Sequence, residues 1–382
     1  MERFQSWGRY PPVVQRVKRL DWRSSDISNE IEHTSLAYGM GRSYGDCCLN
    51  DGGWVLCTRG LDRLISFDPG SGVLHCEAGV TLAELLEFSV PRGWFLPVSP
   101  GTKFITIGGA IANDIHGKNH HRRGTLGKHL HSIELLRSDG ERLFCSTRKD
   151  GELFRATIGG LGLTGLILSA KIQLIPIDSA LIDMQSIKFG SLDEFFEISM
   201  DSDQDYEYTV AWVDVLAQGA NLGRGIFMRG NHSSHRPDTL RTKRNGIPLS
   251  VPFDFPNFAL NKWSIKAFNF CYYQRQHEKQ VASKQHYEPF FYPLDSIHNW
   301  NRIYGKRGFL QFQCIVSPSP DKAAIRSIFE IIARSGQGSF LAVLKEFGSV
   351  ESPGMLSFPR PGTTLTLAVS YTHLTLPTSF LV

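Results

Sequence analysis

The chain has 382 residues, enough for about two domains. Its 41% apolar and 20% charged residues, with 36 Gly and 19 Pro, exclude a disordered, collagen-like or low-complexity chain. The 41 Lys and Arg against 37 Asp and Glu leave a formal charge of +4, too small for a dedicated nucleic-acid binder, so any anion recognition has to be local.

Met1 to Tyr10 lacks the basic-then-apolar pattern of a secretory leader, and none is expected. Seven cysteines, with no CxxC pair and one adjacent pair at Cys47 and Cys48, point to a reducing compartment rather than a disulfide framework or a zinc ribbon. A cytoplasmic protein without a bound metal is expected.

In chain order, Leu74, Cys76 and Ala78 alternate with Val73, His75 and Glu77, the period of a strand. Thr81-Leu-Ala-Glu84 is a capping box that opens a helix with Leu82, Leu85 and Leu86 on one face; Pro91 and Gly93 close it. Gly159 to Ile177 is apolar enough to suggest a membrane span, but its four glycines, Lys171, Gln173 and Pro176 read instead as a glycine loop and a buried strand. Near Pro176 the texture changes to aromatic-rich, glycine-poor sequence, marking a second α+β region. There Arg224 to Arg244 reads as an exposed polar loop, and Phe309 to Val316 as a strand. Asp321 to Arg334 reads as a helix capped by Asp321 and stopped by Gly336, and Ser339 to Phe347 and Thr363 to Leu367 as strands.

Four glycine-rich stretches carry the chemistry: Tyr38-Gly-Met-Gly-Arg-Ser-Tyr-Gly-Asp46, Pro100-Gly-Thr102, Thr106 to Asn119 (TIGGAIANDIHGKN) and Ile158 to Gly165 (IGGLGLTG). Glycine lets backbone N–H groups approach an anion, since no Cβ intervenes. Neither a Rossmann GxGxxG fingerprint in its strand–helix context nor a Walker A motif is present.

The order and spacing of these motifs resemble the FAD-binding domain of the vanillyl-alcohol-oxidase flavoprotein superfamily. IHGKNHH, AWVD, FYPLD, NRIYG, FLQFQ and LSFPRPG further resemble the decaprenylphosphoryl-β-D-ribose 2′-oxidase family within it, from about Trp7 to Leu367. The resemblance implies an α+β fold: a two-subdomain FAD-binding domain over residues 1–176 and an α+β substrate domain with an antiparallel sheet over 177–368. Residues 369–382 have no counterpart in the family and are expected to be non-native, leaving the second domain incomplete and the family's tyrosine and lysine beside the flavin missing.

Carried over by position, Ala37, Tyr38, Gly39, Met40, Gly41, Arg42, Ser43, Tyr44, Gly45, Asp46 and Cys47 would wrap the FAD pyrophosphate. Gly101, Thr106, Ile107, Gly108, Gly109, His116, Gly117, Lys118 and Asn119 would line the same cofactor, and Ile167 its adenine side. Many superfamily members bond the flavin through a histidine in the first turn; Arg42 and Ser43 stand there, so a non-covalent FAD is expected. The resemblance places Tyr44, Lys118, Trp212, Leu294, Gln311, Gln313 and Lys345 around a sugar. His116 and Lys345 are candidate bases, with the family's lysine in the missing segment as their rival.

The residues themselves leave alternatives open. His116 also reads as a structural histidine in a turn, and Tyr44 as a packed turn aromatic. Gln311 and Gln313 share one face of a strand, which suits either an exposed edge or a polar cavity. Lys345, amid apolar strand residues, either snorkels, pairs or faces that cavity. The basic cluster Lys118, His120, His121, Arg122, Arg123, Lys128, His129 and His131 reads as a solvated face, an anion site for a substrate phosphate or, least suitably, a zinc site. Thr364, Thr366 and Asn113 depart from the family pattern, so pocket chemistry near the flavin can differ.

The implied activity is oxidation of a secondary alcohol on a sugar, phosphate- or polyprenyl-phosphate-linked, by hydride transfer to flavin. A short-chain reductase is the partner the family implies, and a peripheral position at the membrane surface suits a lipid-linked substrate. The alternatives are a sugar-lactone or alditol oxidase, such as a D-arabinono-1,4-lactone oxidase, and a flavin-binding protein without turnover.

Overall fold

The computed structural model describes residues 4–25, 34–234, 249–256 and 258–370. Two sheets form in the first part of the chain. Arg16–Arg19, Trp54–Cys57 and Ser35–Tyr38 make a small parallel sheet, with Trp54–Cys57 in the middle. A five-stranded antiparallel sheet runs Leu64–Asp68, Val73–Glu77, Leu166–Gln173, Leu130–Leu136, Arg142–Cys145. The helix Leu82–Ser89 starts at the expected box: Glu84 N–H donates to Thr81 Oγ1 (3.2 Å), and Thr81 N–H to Glu84 Oε2 (2.7 Å). Its buried Leu82, Leu85 and Leu86 join Leu74, Cys76 and Ile172 in one core. Gly93, at φ 80°, turns the chain after it.

The chain leaves this sheet at Gln173, pairs Ile175–Pro176 with Trp94–Phe95, and enters a seven-stranded antiparallel sheet at Leu181. The order there is Gln280–His286, Leu181–Phe189, Gly225–His232, Tyr208–Val213, Ala342–Phe347, Gly362–Ser370, Phe309–Val316. The helices Leu192–Ser202 and Ala323–Ser335 cover one face, packing Phe195, Ile325 and Phe329 on Ala211, Phe227, Leu344 and Leu365. Alternation along the strands then turns Val210, Val343, Lys345, Gln313 and Thr366 to the opposite face, toward the glycine-rich loops. An α+β fold results, with helices on one side of a large antiparallel sheet and a cavity on the other.

Several local readings need correction. Gly225–His232, expected within an exposed loop, is an internal strand of the large sheet. Its polar side chains find partners inside the protein: Arg229 donates to Gln185 Oε1 (2.8 Å), and Asn231 Oδ1 accepts from Glu207 N–H (2.6 Å). The remainder of that expected loop, residues 235–244, lies outside the described residues. The helix expected from Asp321 begins at Ala323; Asp321 Oδ1 accepts the Ala323 N–H (3.1 Å) across Lys322, which takes a left-handed conformation. The strand expected from Ser339 starts at Ala342, and the one expected at Thr363 to Leu367 spans Gly362–Ser370. Val369 and Ser370 pair with Leu310 and Phe309. Residues 371–382 of the tail lie outside the described residues.

Candidate active site

A cavity of about 770 Å³ lies between the glycine-rich loops and the open face of the seven-stranded sheet. The loop after Ser35–Tyr38 forms one wall. It is tied to the large sheet through the first residues: Gly8 N–H donates to Ser43 O (3.2 Å), Phe309 N–H to Gly8 O (2.8 Å), and Asn301 Nδ2 to Trp7 O (3.0 Å). The Arg42 guanidinium stacks 3.9 Å from the Trp7 ring. Thr106 starts the second wall, its Oγ1 accepting the Gly109 N–H (3.2 Å). The two walls meet where Gly39 lies on Thr106; a Cβ at Gly39 would collide with Thr106 Oγ1.

Of the residues expected around the cofactor, Ala37, Gly39 to Gly45, Cys47, Gly101, Thr106, Gly108, Gly109, His116, Gly117, Lys118 and Ile167 line this cavity. Four others are turned away from it. Tyr38 sends its hydroxyl to Gln5 O (2.7 Å), Asp46 is exposed, Ile107 is buried in the first core, and buried Asn119 donates to Pro97 O (2.8 Å) and Glu207 (3.1 Å).

Of the residues expected around a sugar, Tyr44, Lys118, Leu294, Gln311, Gln313 and Lys345 line the cavity. Trp212 does not. Its indole donates to Phe340 O (3.0 Å) and packs on Tyr272, which draws it toward the helix Lys262–Gln274. Val210, two residues earlier on the same strand face, lines the wall instead. Thr366, noted above as a departure near the flavin, lines it as the register partner of Gln313, and Leu341, Val343 and Phe358 line it without having been picked out for the pocket. Val343 was findable, since it shares a strand face with Lys345.

The polar floor is a short chain of contacts. Lys345 Nζ lies 3.2 Å from His116 Nδ1, Gln313 Nε2 lies 3.3 Å from His116 Nε2, and Gln313 Nε2 lies 3.0 Å from Thr364 Oγ1. The His116 ring also stands edge-on to Phe347, centroids 4.9 Å apart. Burial, helped by the charge of Lys118, pushes the Lys345 ammonium down to about 7. Burial pushes Lys118 down to about 8 and, with the charges of Lys345 and His120, holds His116 well below the ordinary imidazole range. His116 is therefore neutral at pH 7, and Lys345 is poised to gain or lose a proton.

The basic cluster does not act as one site. Only Lys118 reaches the cavity. Arg123 pairs with Glu207 (2.8 Å), Arg122 donates to Asp203 O (2.9 Å), and His121 and His129 contact Tyr206 O and Arg123 O (both 3.1 Å).

The residues fit a dinucleotide. Arg42 Nε is buried without an acceptor. Gly101 lines the cavity, and a Cβ added there would meet no atom within 4 Å. Among the described lining residues Asp114 is the one carboxylate, held by Gly127 N–H (2.8 Å) and Ser357, while Arg42 and Lys118 supply cationic groups. The lining is thus locally positive in a chain of nearly balanced charge, as a pyrophosphate requires.

The glycine-lined cavity suits a dinucleotide, and likeness to known proteins makes the chain an FAD-dependent oxidoreductase acting on CH–OH groups. The sequence profile of a family described as FAD binding domain matches residues 26–146. Over 94% of its length the chain is 38% identical to decaprenylphosphoryl-beta-D-ribose oxidase of Mycolicibacterium smegmatis, covering 81% of that protein. It is 32% identical, over 75% of its length, to an uncharacterized protein of Streptomyces coelicolor, covering 80% of it. A putative D-arabinono-1,4-lactone oxidase of Neurospora crassa is 28% identical over 43% of the chain, with 28% of that protein covered. The chain belongs to the FAD-binding oxidoreductase family that includes the Mycolicibacterium enzyme. No helix among the described residues is long and apolar enough to cross a membrane.

Proposed function

We propose that this protein oxidises a secondary hydroxyl of a sugar that carries a phosphate or polyprenyl phosphate, with FAD held non-covalently. The observation that carries the reading is the Lys345–His116–Gln313 floor of a glycine-lined, locally positive cavity, in a chain 38% identical to a decaprenylphosphoryl-ribose oxidase. Bound FAD supplies the acceptor for the hydride leaving the carbinol carbon. The residues of the chain do the rest. Glycines 39, 41, 101, 108 and 109 and Arg42 hold the dinucleotide; Gln311, Gln313 and Lys118 hold the sugar and its phosphate. Lys345 in its neutral form, or His116 beside it, takes the hydroxyl proton as the hydride departs, leaving a ketone. The protein works at the membrane surface on a lipid-linked sugar, and a short-chain reductase takes the keto product onward.

Anaerobic mixing with a polyprenyl-phosphoryl pentose, a free sugar phosphate, a free pentose and a sugar lactone tests this. Bleaching of the flavin band by a phosphate-bearing sugar is expected. Bleaching by the lactone alone would assign a lactone oxidase, and bleaching by none a flavin-binding protein without turnover.

A further inference from the structure

The cavity wall at Leu294 and Leu341 continues into an apolar cluster that includes Leu260. Directly after Leu260, Asn261 caps a 13-residue helix, Lys262–Gln274, with its Oδ1 accepting the Ser264 N–H (3.1 Å). The helix buries Ile265 and Asn269 and turns Trp263, Lys266, Ala267 and Phe270 outward, at i, i+3, i+4 and i+7. Trp263 is 74% exposed and Phe270 52%; Phe253 and Phe258, just before the helix, are 63% and 79% exposed. Large aromatic side chains in water over one short run mark a surface that meets a partner.

Charge selects the partner. From Phe255 to His277 the sequence has no Asp or Glu and carries Lys262, Lys266 and Arg275. Neither Lys262 nor Lys266 has an ion pair among the described residues. Lys266 sits between Trp263 and Phe270 on the same face. The core of a protein–protein interface is depleted of lysine, whereas an anionic bilayer surface takes aromatic rings at the headgroup level and lysines against its phosphates.

We propose that this face, Trp263, Lys266 and Phe270 with Lys262, Phe253 and Phe258, docks the protein on an anionic lipid bilayer next to the cavity wall. Its purpose rests on the reading of the substrate as a lipid-linked sugar, since a chain leaving the cavity past Leu294 and Leu341 would meet the helix and the bilayer together.

The test is co-sedimentation of the full-length flavoprotein with vesicles of phosphatidylcholine alone, or with about a third of phosphatidylglycerol. Binding to the phosphatidylglycerol vesicles is expected, weakening as salt is raised. Trp263→Ala/Phe270→Ala should weaken it at least tenfold, and Lys262→Gln/Lys266→Gln by roughly fivefold for each lysine. Flavin absorbance and thermal midpoint should stay unchanged in both variants, because all four side chains are exposed. A wild type left in the supernatant, or variants that sediment like it, would overturn the proposal. So would a dimer that Trp263→Ala/Phe270→Ala converts to monomer without any vesicle binding, which would assign the face to a second copy. Vesicle binding that persists when no sugar bleaches the flavin leaves the docking face standing and removes only the substrate reading.

Discussion

Lys345 Nζ stands 3.2 Å from His116 Nδ1, while the opposite ring nitrogen faces the Gln313 amide at 3.3 Å. A neutral imidazole offers one N–H and one lone pair, so the two contacts fix each other. If Lys345 is an ammonium it donates to Nδ1, and Nε2–H must then donate to the Gln313 amide oxygen. If Lys345 is an amine it can either donate to Nδ1 or accept Nδ1–H, and in the second case Nε2 accepts from the Gln313 amide nitrogen, the atom set toward the ring. The ammonium thus restricts the histidine to one tautomer, and loss of its proton opens the other.

The first prediction follows for the rate. If the Lys345 amine accepts the substrate proton, the rate of anaerobic flavin reduction rises with pH through an ionisation near 7 and levels off above it. Lys345→Met should lower that rate by about 10²–10⁴-fold and abolish the ionisation. A variant that keeps the same pH profile would assign the proton to another group.

The same shift predicts a stability effect. Lys345 is pushed from its ordinary 10.5 to about 7 in the folded protein, so between those values the unfolded chain binds the proton more tightly. Stability of the flavin-free protein should therefore rise with pH from about 7 toward 10.5, with the full penalty present below 7. Lys345→Met should remove this contribution to the slope and raise the urea midpoint at pH 7. An unchanged midpoint and slope would show that the lysine is solvated.

Gly101 separates cofactor room from folding. A side chain there meets no protein atom within 4 Å of its Cβ but projects from the cavity wall. Gly101→Leu should change the stability of the flavin-free protein by no more than about 0.5 kcal/mol. It should lower FAD affinity at least tenfold, read by flavin fluorescence after gel filtration. A yellow variant with full cofactor content would place the dinucleotide elsewhere.

The mode of attachment can be read directly. Arg42 and Ser43, not histidine, occupy the loop beside the cavity. Acid precipitation of the yellow protein should move essentially all flavin to the supernatant. Flavin retained in the pellet would point to a covalent bond from another lining nucleophile, with Cys47, Cys48 and His116 the groups to map first.

How much of this was legible in the sequence depends on range. The capping box at Thr81, the strand at Phe309 and the glycine stop at Gly336 are set by neighbours in the chain, and each forms. The glycine loops could be recognised because close backbone approach constrains their residue types directly. Gly225–His232 reads as a loop in sequence because its Arg229 and Asn231 look solvated until Gln185 and the Glu207 N–H, 44 and 24 residues away in the chain, meet them as partners. The basic run from Lys118 to His131 left a solvated face and an anion site both open because sequence proximity hides direction: Lys118 lines the cavity, while Arg122 and Arg123 point to Asp203 and Glu207.

Trp212 makes that last distinction testable. It shares a strand face with Val210, which lines the cavity, yet its indole is spent on Phe340 O at 3.0 Å and its ring on Tyr272, 4.5 Å between centroids. Trp212→Phe keeps the aromatic packing but leaves the Phe340 carbonyl without its donor, at a cost of about 1–3 kcal/mol. Chemical denaturation should register that loss, while KM and kcat for the bleaching sugar stay within about twofold of wild type. If Trp212 were instead a wall of the sugar pocket, KM would rise about tenfold or more with little change in stability, the reverse of what its hydrogen bond to Phe340 requires.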